Sequence, residues 1–169
     1  EGGITTIEHG IYLTEALCQR MARDGVALVP TLIAPHAIAT GGVAAGIPEF
    51  AVEKSLAVRD RHTESFRMAL RLGVPIAAGT DAGTPLNAHG SMVPELELMV
   101  KAGMAPLAAI HAATATAARV LGLERETGRV ATGLAADLLA VAGNPAERIA
   151  ALDEVRLVMA QGRLIVNRT

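Results

Sequence analysis

Thr6-Ile7-Glu8-His9-Gly10 and Pro75-Ile76-Ala77-Ala78-Gly79-Thr80-Asp81-Ala82-Gly83 decide how this chain is read. Each is an apolar, β-prone run that stops at a polar group followed by glycine. Where parallel strands alternate with helices, the C-terminal strand ends display reactive side chains, and glycine lets the chain turn away. A histidine on one such end and an aspartate on another suit a hydrolytic metal ion. Side chains alternate along a strand, so Thr5, Ile7 and His9 share a face and His9 is expected to point into the mouth above Ile7. Asp81 suits both a ligand and a general base: one carboxylate oxygen can bind the cation while the other takes a proton from the activated water. On residue chemistry alone, His9 also fits a plain strand-end cap, and Asp81 an Asx-turn carboxylate.

Between and beyond these stretches the pattern alternates. The first strand is expected over Ile4 to Glu8. Thr14 caps a helix stapled by Leu13 and Cys18, buried through Leu17, Cys18, Met21 and Ala22 and stopped at Gly25. Val26 to Leu32 is a continuous apolar strand. Residues 33–48, uncharged but for His36 and the terminal acid that follows them, read as a long mobile loop. Pro48 opens a helix from Glu49 to Leu72, closed by Gly73, with a narrow inner stripe of Leu56, Thr63, Phe66 and Leu70. Val74 to Thr80 is the third strand. Ser91 caps a helix from Met92 to Ala102. Pro106 opens another, with Leu107, Ile110, Thr114, Ala118 and Leu121 inward. From Gly128 the character changes: Leu138 to Val141 is a strand, and Val155 to Ala160 and Arg163 to Val166 flank a two-residue hairpin at Gln161-Gly162.

The chain is 51% hydrophobic but 2% aromatic, so its core is aliphatic. A net charge of −2 and the lack of any basic run exclude nucleic acid and an anionic membrane surface as partners. No apolar stretch approaches the roughly 18 residues of a membrane span. A cytoplasmic setting is expected, with the oligomeric state open, a homo-oligomer included. The lone Cys18 reads as a buried thiol. Among the remaining polar groups, His89 lies in the loop after Asp81, within reach of a substrate. Tyr12 is expected to pack on the first helix, His36 to lie in the mobile loop, His62 on the surface and His111 in the core, and Glu8 against the helix layer. A phosphate cradle built on Gly79, Gly83 and Gly90 lacks its cation, since no Lys or Arg falls between Arg71 and Lys101.

Three parallel strands do not close a barrel, which takes eight strands and about 250 residues. Thr5-Thr6-Ile7-Glu8-His9-Gly10 and Gly79-Thr80-Asp81-Ala82-Gly83 resemble the last barrel segments of the metal-dependent amidohydrolase superfamily. The similarity is greatest to its prolidase-like and imidazolonepropionase-like branch. The helix Ala112-Ala113-Thr114-Ala115-Thr116-Ala117-Ala118 before Leu121-Gly122 is similar to that which follows the family's last strand. Gly128-Arg129-Val130, Gly133 and Ala136-Asp137-Leu138 resemble its return to a small β-sandwich.

The resemblance implies an α/β fold: the C-terminal part of a (β/α)8 TIM barrel over residues 1–127, strands six to eight with their helices, then β-sandwich strands over 128–169. It implies one or two divalent ions, usually zinc. His9 would be the strand-six ligand, Asp81 the strand-eight ligand and proton shuttle, and His89 would meet the substrate. The expected reaction is hydrolysis of an amide or peptide bond in a small molecule or short peptide, as in a prolidase-like dipeptidase or carboxypeptidase. Alternatives are a cyclic amide or amidine hydrolase of the imidazolonepropionase or deaminase type, and a non-catalytic barrel that keeps only the scaffold. The family's remaining ligands (a His-x-His pair, a bridging lysine and a further histidine) have no counterpart here and are expected upstream of Glu1. With two ligands where zinc takes at least three, the isolated 169 residues are expected to be inactive.

Overall fold

The computed structural model describes residues 3–168; the lead-in residues Glu1 and Gly2 and the terminal Thr169 lie outside them. Strand β1 (Thr6–Glu8) and strand β2 (Ala27–Val29) pair in parallel, with Ile7 opposite Leu28. Helix α1 (Glu15–Asp24) crosses between them. Its start is set as expected: the Thr14 hydroxyl accepts from the Leu17 N–H, and Gly25 closes the far end in a left-handed conformation. Leu13, Cys18 and Met21 bury in the core, whereas Leu17 stands 46% exposed.

The expected third strand is short. Ile76 bridges Leu28 in parallel on the free side of β2, through Leu28 N–H to Pro75 C=O and Ala77 N–H to Leu28 C=O. Ladder pairing stops there because the flanking amides are taken elsewhere: Val74 N–H by Ala69 C=O, and Ala78 N–H by Ala112 C=O. Leu28, Ile76, Phe66, Leu96 and Met99 form the centre of one aliphatic cluster. Gly79 passes so close to β2 that a Cβ there would meet Val29 Cγ1 at 2.5 Å.

Residues 33–48 are not a loop. Helix α2 spans Ile33–Gly41, and a single 3₁₀ turn follows at Val43–Ala45. Alanine-rich sequence favours a helix, and the cap missing from the local sequence comes from 62 and 63 residues away. Both carboxylate oxygens of Glu95 accept backbone N–H bonds, from Leu32 at 3.0 Å and Ile33 at 2.7 Å.

Helix α3 (Glu49–Arg71) begins after Pro48 as expected, but its inner stripe lies elsewhere. Ser55, His62, Ser65, Phe66 and Ala69 are buried while Leu56 is 44% exposed. The polar members find partners in the β1–α1 turn: Ser65 Oγ donates to Ile11 C=O, and His62 reaches His9 C=O.

Helix α4 (Val93–Lys101) follows Met92, without a hydrogen bond from Ser91. Helix α5 (Pro106–His111) runs through a π-helical turn, Ala112–Thr116, into helix α6 (Ala117–Val120). The wider turn rotates the helix face. Ala109, Ala112 and Ala118 face inward, while Leu107, Leu121 and His111 are exposed. Strands β3 (Leu138–Val141), β4 (Val155–Ala160) and β5 (Arg163–Asn167) form an antiparallel sheet. Its hairpin turns at Gln161-Gly162, both at positive φ as a two-residue connection requires. Asp137 fixes that turn by accepting from Gln161 N–H and Thr127 Oγ. Among the described residues no helix is long and apolar enough to cross a membrane.

Candidate active site

β1, β2 and the Ile76 segment run in one direction, so their C-terminal ends share one rim. At each end a non-glycine residue adopts a left-handed backbone: His9 at φ 62°, Thr31 at 51° and Asp81 at 53°. That conformation is costly for a residue with a Cβ, doubly so for the β-branched threonine, and persists only where the surroundings over-determine it. The repetition at consecutive strand ends marks the rim as the place where the fold commits its side chains.

His9 is exposed at its ring and held at its backbone. Its N–H donates to Val29 C=O at 2.9 Å, and its own C=O accepts from His62 Nε2 at 2.8 Å. The His9 Nδ1 lies 2.6 Å from Thr31 Oγ1, whose hydroxyl in turn donates to Pro30 C=O. With the threonine proton so committed, His9 must donate from Nδ1. The lone pair is therefore left on Nε2, the tautomer a metal ligand needs. Gly10 lets the chain pass over β2, since a Cβ there would meet Leu28 Cδ1 at 2.6 Å.

Asp81 is also exposed, and its carboxylate has no hydrogen-bond partner among the described residues. Its backbone is fixed from within the following loop. Asn87, 5% exposed, donates from Nδ2 to Thr80 C=O and Asp81 C=O. Thr84 Oγ also donates to Asp81 C=O. His89 sits in the same loop with its ring against Gly83, where a Cβ would meet Nε2 at 3.4 Å.

The fold thus puts Asp81 and His89 in one loop and His9 on the same rim. Among the described residues no group of three or more His, Cys, Asp or Glu side chains is placed to hold a metal.

Several expected positions are corrected. His62 is 1% exposed rather than on the surface, because His9 C=O and the β1–α1 turn draw that face of α3 inward. Burial holds its imidazole below the usual range, against the pull of the His9 and Pro30 carbonyls. Glu8 is exposed at the end of β1, and Tyr12, 68% exposed, does not pack on α1. Thr31, His62, Asn87 and Glu95 were not legible as site residues. Each acts on a neighbouring strand end rather than from one, and only Pro30-Thr31, a proline inside an apparent strand, marked an irregularity.

A Xaa-Pro dipeptidase structure with methionine bound in its active site superposes with a TM-score of 0.88 at 36% identity, covering 98% of this chain and 40% of its own. A prolidase complexed with N-methylphosphonate-L-proline gives 0.86 at 29% identity, covering 98% and 41%. The ochratoxinase of Aspergillus niger is 32% identical over 161 residues, 94% of this chain and 32% of that enzyme. The chain therefore spans well under half the length of these relatives. The amidohydrolase family itself matches residues 1–165, and with the α/β fold and strand-end rim described above, the chain belongs to the amidohydrolase family.

Proposed function

We propose that residues 1–127 form strands six to eight, with their helices, of a (β/α)8 barrel, and that 128–169 supply strands of an adjoining β-sandwich. In this reading the chain is part of a metal-dependent amidohydrolase, most akin to a prolidase-like dipeptidase or carboxypeptidase. The observation that carries it is the tie from His9 Nδ1 to Thr31, which leaves Nε2 without a partner among the described residues, at the rim where the Asp81 carboxylate, likewise unpartnered among them, also ends. The likeness to a Xaa-Pro dipeptidase supports the substrate class.

His9 Nε2 and one oxygen of Asp81 would hold a divalent cation, probed first as zinc, with the further ligands expected in the preceding part of the barrel. When bound, such an ion supplies Lewis acidity toward the amide carbonyl and makes water acidic enough to deprotonate near neutral pH. Asp81 accepts the water's proton at its second oxygen and delivers it to the leaving amine nitrogen. His89 meets the substrate from the loop wall. His9 is held in its ring orientation by Thr31.

The test is metal analysis of the intact protein together with a panel of Xaa-Pro and other short peptides. Expected are one or two equivalents of divalent metal, turnover lost on chelation, and its return with zinc. The ochratoxinase likeness keeps open an amide in a larger small molecule, and the same panel extended to N-acyl amino acids separates that from a dipeptidase. An intact protein without stoichiometric metal, whose Asp81→Asn variant behaves like wild type, would leave only the scaffold reading. The 169 residues alone should show no turnover.

A further inference from the structure

Helices α2, α3 and α4 enclose a cavity of about 380 Å³. It is at the small end of ligand sites, which run from about 300 to 1,000 Å³. Its walls are of two kinds. Leu32, Pro35 and Leu98 give apolar surface, and Arg59, Arg67 and Lys101 bring three formal cations. Among the described residues no carboxylate lines it, and none of His9, Asp81 and His89 does.

The three cations are gathered but not neutralised. Arg67 is held by its Nε, which donates to Ala102 C=O just past α4. Arg59 spends its Nε on Asp60, a surface pair in which the aspartate is 80% exposed and which holds little. Each guanidinium therefore keeps its two terminal nitrogens unpaired among the described residues, a fork that a carboxylate can meet with both oxygens. Lys101 is exposed and has no ion pair among the described residues. Lys101 and Arg59 act on the same space, since after burial they are what holds the His36 imidazole below its usual range. Like charges brought together without a counter-ion repel one another and weaken the fold.

The spacing on α3 adds a shape. Arg59 and Arg67 stand eight residues apart, about 12 Å along a helix that rises 1.5 Å per residue. Thr63 lines the stretch between them. Negative charge is thus matched at two separated places, with apolar wall alongside.

We propose that this cavity binds a small aliphatic dicarboxylate, one carboxylate on Arg59 and the other on Arg67, with Lys101 facing them from α4 and the carbon chain against Leu32, Pro35 and Leu98. A bare inorganic anion would leave the apolar wall unused, and a monocarboxylate would leave one arginine unmatched. The site is separate from the strand-end rim and does not depend on the reaction assigned there.

The experiment is calorimetric titration of the intact protein with glutarate and adipate near neutral pH, repeated on Arg59→Gln/Lys101→Met. Both positions are solvent-facing, so the fold is retained. The expected result is a saturable event with at least one of the two acids, weakened at least tenfold in the double variant. Butyrate and inorganic phosphate should each bind at least tenfold more weakly than the better dicarboxylate. Arg20→Gln/Arg23→Gln removes two cations that do not line the cavity and should bind as wild type does. The proposal is overturned by no saturable heat up to about 50 mM of either dicarboxylate, an affinity too weak for a built site. An affinity unchanged in Arg59→Gln/Lys101→Met overturns it too, because a dicarboxylate held by a metal at the rim would bind both proteins alike. So does an equal loss in Arg20→Gln/Arg23→Gln, or butyrate or phosphate binding as tightly as the dicarboxylate.

Discussion

The two strand ends that carry His9 and Asp81 have the same left-handed backbone but are held by different means. His9 is gripped from afar: Val29 and Thr31 across the sheet, His62 from α3, 53 residues on. Behind Thr31 stands Glu95, whose carboxylate fixes the Leu32 and Ile33 amides from α4. Asp81 is gripped by its own loop, through Thr84 and Asn87, three and six residues on. The His9 ring is thus anchored by the tertiary structure, whereas Asp81 sits on a locally closed loop with its carboxylate unpaired among the described residues.

This contrast can be broken at four points. The largest effect is expected from Asp81→Asn in the intact protein. Peptide turnover should fall about 10³-fold with the fold retained, since general-base contributions run from about 10² to 10⁴ and the side chain is exposed. Turnover near wild type would remove Asp81 from the chemistry.

Next comes Glu95, which burial pushes from its ordinary 4.5 up to about 7, opposed by the Ile33 and Leu32 amides. A carboxyl with a raised folded pKa binds more protons folded than unfolded across that interval. Its contribution is therefore most favourable below pH 4.5 and declines as pH rises through 7. The decline amounts to about 3 kcal/mol at 1.36 kcal/mol per pH unit. Denaturant midpoints followed from pH 4.5 to 8 should show this slope in wild type and lose it in Glu95→Gln; parallel slopes would mean the carboxyl does not titrate there.

Thr31→Val removes the acceptor for His9 Nδ1–H, and metal affinity should drop about 10- to 100-fold, as for other outer-shell partners of ligating histidines. Thr31→Ser should restore it. If valine binds metal as well as threonine does, the remote grip on the ring is ornamental. Smallest is Asn87→Ala, which withdraws donors from the Thr80 and Asp81 carbonyls. A stability loss of about 1 to 2 kcal/mol in denaturant titration is expected, with the His9–Thr31 hydrogen bond kept because the two grips share no residue.

What could be read beforehand follows the same division. The α1 cap at Thr14 and the Gln161-Gly162 hairpin show in the sequence because their causes lie within a few residues. The α2 helix did not, since its cap is Glu95 and its own residues carry no amphipathic charge pattern. The inner face of α3 was misplaced because Ser55, His62 and Ser65 look polar. They bury only where Ile11 and His9 present carbonyls to them. Likewise Leu121 looked inward on a regular helical period, which the π turn at Ala112–Thr116 interrupts. The Val74–Thr80 run was recognisable as extended, but where its amides went was not.

The 3₁₀ turn Ile149–Asp153 that precedes β4 has a consequence for the far rim. Ile149 is 7% exposed and belongs with Leu96 and Met99 to the central cluster, with Leu152 packed at its edge. The tail is thus a wedge under α4, and α4 carries the acid that steadies the turn holding the imidazole. A lesion more than a hundred residues from His9, such as Ile149→Ala, would reach it as slack in a lever, felt first as a looser hold on the ring and only later as lost fold.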